Sequence, residues 1–118
     1  PWISRKQVQT YIKNAKIYVS SSRYEGMPYS VIESMALSRP SVLTNTDGNR
    51  DLVIDKKSGF LVEVGDDLEM ANKITILLND NKLSNSFALQ AKKLFIKNHL
   101  LSDYLQKLTV HYQKIIKK

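Results

Sequence analysis

Glu25 and Glu33 stand eight positions apart in the stretch SSSRYEGMPYSVIESMAL, residues 20–37, with Gly26, Met27 and Pro28 after the first carboxylate. An ionised carboxylate only accepts hydrogen bonds, so Glu25 at a loop end suits the hydroxyls of a polyol. Charge-assisted bonds of that type contribute roughly 1.5–3 kcal/mol each. Gly26 has no side chain to keep a ligand from the backbone. Pro28 fits the first position of a helix, where its missing N–H would be unpaired anyway. The open N–H groups of that first turn, and the positive end of the helix dipole, suit a phosphate. Glu33 lies off the apolar stripe of Val31, Ile32, Met35 and Ala36; it faces the way Ser30 does and could reach a ribose. On residue types alone, a plain turn and a solvated glutamate explain the same residues.

The surrounding pattern predicts what must position these groups. Ser4 caps a helix over about 5–14, and Lys16–Ser20 reads as a short buried strand. A helix over about 28–37 follows, stopped by Arg39-Pro40. Ser41–Thr44 is a second strand, Asn45–Gly48 a polar loop, and a short helix covers about 49–54. Phe60–Val62 is a third strand, and Asp66 or Asp67 caps a helix through Leu78. The tail predicts two helices, about 82–97 and 101–116, broken near Asn98-His99. Alternating strands and helices imply an α/β fold, a Rossmann-like parallel sheet with flanking helices and a helical C-terminal tail. Loops after parallel strands emerge at one edge, so Ser21–Met27 and Asn45–Gly48 should meet there.

Bulk properties narrow the classes. With 118 residues and 42% hydrophobic content the chain is one domain's worth of ordinary globular sequence. No apolar run reaches the roughly 20 residues of a membrane span. Cysteine is absent, which excludes a disulfide framework and a thiolate zinc site. His99 and His111 have no partner at ligand spacing. The formal charge of +7 resides in the tail: Lys82, Lys92, Lys93, Lys97, Lys107, Lys114, Lys117 and Lys118 stand against Asp103 alone. Solvated helix faces explain the lysines most simply, and an anionic membrane surface is the alternative. Nucleic acid is not expected, because interleaved arginines and stacking aromatics are missing. Tyr18, Tyr104 and Tyr112 read as packing residues, Tyr24 and Tyr29 as flanking the loop, and Arg23 as an ordinary surface arginine near its mouth.

The span from Ala15 to Gly65 resembles the C-terminal half of family 4-like glycosyltransferases of the GT-B fold. The resemblance rests on the two glutamates separated by seven residues, on Asp47-Gly48-Asn49-Arg50-Asp51, and on Ser58-Gly59-Phe60-Leu61-Val62, in that order. It implies that Glu25 holds the donor sugar's hydroxyls near the reacting carbon, that Gly26, Met27, Pro28 and Tyr29 line sugar and diphosphate through their main chain, and that Ser30 adds a phosphate contact. Glu33 would bind the ribose hydroxyls. It further implies a UDP- or GDP-sugar donor, transfer with retention, no obligatory metal or other cofactor, and a glycan or lipid-linked acceptor in cell-surface polysaccharide or lipopolysaccharide assembly. The family often has two glycines where this chain has Asp47-Gly48.

The expectation is therefore a single domain, with residues 1–80 as the donor-binding portion and 81–118 as a helical tail packed on it. The phosphate-neutralising cations and the acceptor-binding N-terminal domain would precede Pro1, leaving the piece inactive alone. Such an enzyme would be cytoplasmic, or peripheral at the inner face of the plasma membrane. A non-catalytic sugar-nucleotide sensor or scaffold and a basic peripheral-membrane module are the alternative readings.

Overall fold

The computed structural model describes residues 2–116; Pro1, Lys117 and Lys118, two of them tail lysines, lie outside the described residues. Helix α1 (Arg5–Asn14) opens with a capping box: the Gln7 N–H donates to the Ser4 hydroxyl, and the Ser4 N–H donates to the Gln7 side chain. Strands β1 (Tyr18–Ser20), β2 (Ser41–Thr44) and β3 (Phe60–Val62) are all parallel in the order β1-β2-β3, with Val19 beside Val42 and Leu43 beside Leu61. Helices α2 (Tyr29–Ala36), α3 (Asp47–Leu52) and α4 (Asp67–Asn79) follow the three strands, and α5 (Asn81–His99) and α6 (Leu101–Ile116) form the tail.

Strand alternation divides the core. Leu43 packs with Val31, Met35, Leu52, Val53 and Ala91, whereas its neighbour Val42 packs with Phe60, Val62, Leu77 and Phe87. Helix α5 contributes to both clusters, through Ala91 and through Phe87, whose ring meets Phe60 edge-on at 5.0 Å. Each fully buried aliphatic side chain adds about 1.5–3 kcal/mol, and all four residues of β2 are buried, as a strand covered on both faces requires.

Several boundaries differ from the sequence pattern. Strand β1 begins at Tyr18, not Lys16, because Lys16 is exposed before the ladder starts at the Tyr18 N–H to Pro40 carbonyl bond. Pro28 is the N-cap of α2, in an extended conformation (φ −75°, ψ 100°), one residue ahead of the first helical position. Asp47 and Gly48 are the first residues of α3 and not a loop, since Thr46 takes the extended N-cap conformation. Asp66 caps α4 by accepting from the Glu69 N–H, and Asp80 caps α5 in the same way through the Leu83 N–H. Tyr104 and Tyr112, read as packing residues, are exposed on α6. Lys92 is not a free surface cation: its ammonium donates to the Ala36 carbonyl at the end of α2 and lies over the Phe95 ring.

Candidate functional site at the strand ends

The loops after β1 and β2 meet at the C-terminal edge of the sheet. The Gly48 N–H donates to the Glu25 carbonyl at 3.0 Å. A Cβ on residue 48 would lie 2.5 Å from the Gly26 carbonyl oxygen and 2.6 Å from that of Glu25, so only glycine allows the two backbones to approach this closely. The required glycine is thus Gly48. Gly26, the glycine singled out by its place beside Glu25, has no positive φ and only open space within 4 Å of a would-be Cβ. That space is the mouth of a cleft of about 500 Å3 lined by Arg23, Tyr24, Glu25, Gly26, Asn45, Thr46, Asp47, Arg50 and Val64.

The Glu25 carboxylate is half-buried and aimed by one neighbour: Ser22 Oγ donates to Glu25 Oε1 at 2.6 Å and lies 3.1 Å from Ser20 Oγ. No described cation forms an ion pair with Glu25. The cleft is also lined by Arg50, whose guanidinium pairs with Asp47 and donates to the Asn45 carbonyl and side chain at 3.2 and 3.1 Å. Asn45 is itself fixed by donating to Glu63 Oε1 at 2.6 Å. Thr46 is buried in the cleft lining, and its hydroxyl has no partner among the described residues.

The other expected residues spread away from the cleft. Met27 is exposed, Pro28 is buried, and among the described residues no side chain caps α2 and no acid stands in its first turn. Ser30 Oγ accepts the Tyr18 hydroxyl proton at 2.8 Å. Glu33 does not share the cleft of Glu25. It lines a separate hollow of about 240 Å3 with Arg5, Gln9, Tyr29, Ile32 and Phe95, and its carboxylate is 3.5 Å from the Arg5 guanidinium. The two glutamates thus open into separate hollows.

Arg23, expected as an ordinary surface arginine near the mouth, lines the cleft and also a second hollow under the β3–α4 turn. Asn45, Thr46, Asp47 and Arg50, which had no individual roles in the sequence, line the cleft too; their signals were the expected meeting of Asn45–Gly48 with the Glu25 loop and, for Asp47 and Arg50, the Asp47–Asp51 motif of the resemblance. Asp66 and Asp67, as expected, serve the start of α4, and among the described residues no group of three or more His, Asp or Glu could hold a metal ion.

Residues 1–94 match the family described as glycosyl transferases group 1. The chain is 34% identical over 100 residues to the poly(ribitol-phosphate) alpha-N-acetylglucosaminyltransferase of Staphylococcus aureus, covering 84% of this chain and 20% of that protein. It is 30% identical over 81 residues to the Escherichia coli UDP-Gal:alpha-D-GlcNAc-diphosphoundecaprenol alpha-1,3-galactosyltransferase, covering 69% of this chain and 21% of that protein. The crystal structure of an S. aureus TarM variant in complex with fondaparinux, alpha-GlcNAc-glycerol and UDP superposes with a TM-score of 0.81 at 33% identity, over 87% of this chain and 21% of that one. The chain therefore spans about a fifth of the length of these relatives.

Proposed function

The chain belongs to the glycosyl transferases group 1 family, and from that premise we propose that it forms the donor-binding part of a longer retaining glycosyltransferase. Its fold is the parallel sheet with flanking helices of GT-B C-terminal domains. The observation that carries the proposal is the half-buried Glu25 carboxylate, oriented by Ser22 at the strand edge, unpaired with any cation among the described residues and three residues ahead of the uncapped tip of α2.

In this reading Glu25 accepts hydrogen bonds from the donor sugar's hydroxyls. The backbone of Gly26, Met27, Pro28 and Tyr29 leads to the helix tip, and the tip N–H groups receive the diphosphate. The bond from the anomeric carbon to the diphosphate breaks with its electron pair going to phosphate. The acceptor hydroxyl forms the new bond on the same face, and its proton passes to the departing diphosphate. The protein's part is orientation and stabilisation of that charge by fixed dipoles. Ser30, at the same tip, adds a phosphate contact once its bond to Tyr18 rearranges. Glu33 holds the ribose, releasing Arg5; with Arg5 exposed and Glu33 partly so, a pair of this kind is worth about 0–1 kcal/mol, so the exchange costs little.

The named activities of the relatives support a UDP-sugar donor, and a glycan or lipid-linked acceptor in surface-polysaccharide assembly. The cations for the diphosphate and the acceptor site belong to other parts of the full-length protein, so the 118-residue piece alone binds donor weakly and transfers nothing. The reading assigns no step to a metal. Full activity of the full-length protein in EDTA is expected, and a strict divalent-ion requirement would refute that point. Exposed Leu101, Leu105 and Val110 on α6, with Lys107 and Lys114 on the same helix, support peripheral attachment to the inner face of the membrane. Sedimentation with anionic vesicles at low but not high salt is the expected outcome.

The deciding experiment is transfer from radiolabelled UDP-N-acetylglucosamine, UDP-galactose and GDP-mannose by the full-length protein and its Glu25→Gln variant. A loss of at least about a hundredfold is expected on removing this oriented carboxylate. Undiminished transfer by Glu25→Gln would remove the proposal's basis and favour a sensor or scaffold.

A further inference from the structure

Glu25 is held by Ser22, and Ser22 is held from the neighbouring strand. Thr44 Oγ1 donates to the Ser22 carbonyl at 2.5 Å, bridging residues 22 positions apart, and the Thr44 carbonyl accepts from Asn49 Nδ2 at 2.8 Å. Ser22 Oγ then donates to Glu25 Oε1. A continuous hydrogen-bonded path thus runs from α3 through the end of β2 to the loop carboxylate. The geometry points to Thr44 and Asn49 as positioning residues, which touch no substrate and set where the Glu25 carboxylate sits; the inference rests on the donor-cleft reading above.

Packing alone does not explain either side chain. Thr44 ends a strand whose neighbours are Val42 and Leu43, and valine would fill the same volume; the hydroxyl adds only the bond to the loop. Asn49 is 0% exposed, and its Oδ1 has no partner. A buried amide with one half unpaired is costly, so its presence is explained by the bond that its other half makes. The loop they restrain has no regular structure between Ser20 and Pro28, and such a segment moves unless tied down. A carboxylate that must meet particular sugar hydroxyls tolerates displacement of only about 0.5 Å.

The experiment separates orientation from folding by measuring the sugar increment, the ratio of UDP-sugar affinity to UDP affinity, calorimetrically on the full-length protein. The probes are UDP, UDP-N-acetylglucosamine and UDP-galactose, with GDP and GDP-mannose as the second series. Thr44→Val is expected to keep UDP (or GDP) affinity within about twofold while the sugar increment falls about tenfold, the scale of one misdirected charged hydrogen bond. Thr44→Ser restores it, and Asn49→Ala moves it in the same direction as Thr44→Val. A wild-type increment in Thr44→Val, a parallel loss of nucleotide and sugar-nucleotide affinity, or failure of serine to rescue would overturn the inference. Glu25→Gln, measured alongside, distinguishes the failures. If it loses the increment while Thr44→Val keeps it, only the positioning role falls. If it keeps a wild-type increment, or if the wild type shows none with any probe, the donor-cleft reading falls and the positioning role with it.

Discussion

Replacing Gly48 with alanine should cut transfer steeply in a protein that still folds. The added methyl would stand 2.5 Å from the Gly26 carbonyl oxygen, 2.6 Å from the Glu25 carbonyl oxygen and 2.8 Å from the Gly26 carbonyl carbon, against about 3.4 Å for ordinary contact. All three neighbours are backbone, so no rotamer change relieves the clash, and the Glu25–Gly26 segment must retreat by about 0.9 Å, the difference between 3.4 and 2.5. A retreat of that size stretches the 3.0 Å bond from the Gly48 N–H to the Glu25 carbonyl out of hydrogen-bond range. Overpacking costs about 1–3 kcal/mol and the lost bond about 0.5–1.5. Alanine returns about 1 kcal/mol of helix propensity at this position in α3. The net loss is about 0.5–3.5 kcal/mol, a fall in Tm of several degrees. A carboxylate displaced by nearly 1 Å, by contrast, costs up to about a hundredfold in rate. Transfer by the full-length protein and thermal denaturation, measured on the same preparation, test this together. Transfer within twofold of wild type in a folded Gly48→Ala variant would refute the argument that this contact fixes the cleft.

Two further outcomes follow from particular side chains. Thr46→Val should be neutral or stabilising by about 1–2 kcal/mol in urea unfolding, because the buried hydroxyl it removes has no partner and the extended N-cap backbone suits a β-branched residue; a clear loss of stability would mean that the hydroxyl is satisfied. The Glu69 carboxyl is held below its ordinary 4.5, first by its hydrogen bond to Lys73 and then by one to Asn72. A depressed carboxyl contributes stability above its unfolded pKa and loses it as pH falls through the folded value, so the contribution is present at neutral pH and fades in acid below about 4.5. Lys73→Ala should move the Glu69 titration upward in carbon-detected NMR, and an unmoved titration would show that the pair is not formed in solution.

The layout of the fold was legible because strands and helices alternate and each apolar run has the length of one element. The meeting of the loops after β1 and β2 at one sheet edge followed from parallel connection alone. The start of α3 did not: Asp47-Gly48 is a turn pair by local propensity, and it becomes helix because Gly48 must press against the Glu25 loop, a tertiary requirement. The eight-residue spacing of the glutamates shows that both flank the start of α2. It does not show that they open into different hollows, since Arg5 and Gln9 of α1 decide the surroundings of Glu33 from far along the chain. Arg23 reads only as near the mouth, and Arg50 only as part of the segment after β2, for the same reason. Their place depends on how the crossovers stack, and no short-range pattern encodes that.

Among the described residues the sheet has three strands, with β2 paired on both sides and β1 and β3 each paired on one. The outer rim of β1 therefore presents unmatched backbone donors and acceptors to any extended segment that approaches it, and Val19 beside that rim is exposed. Concentrated solutions of this piece alone should associate through that rim, and lysine at position 19 is the substitution that should keep them dispersed.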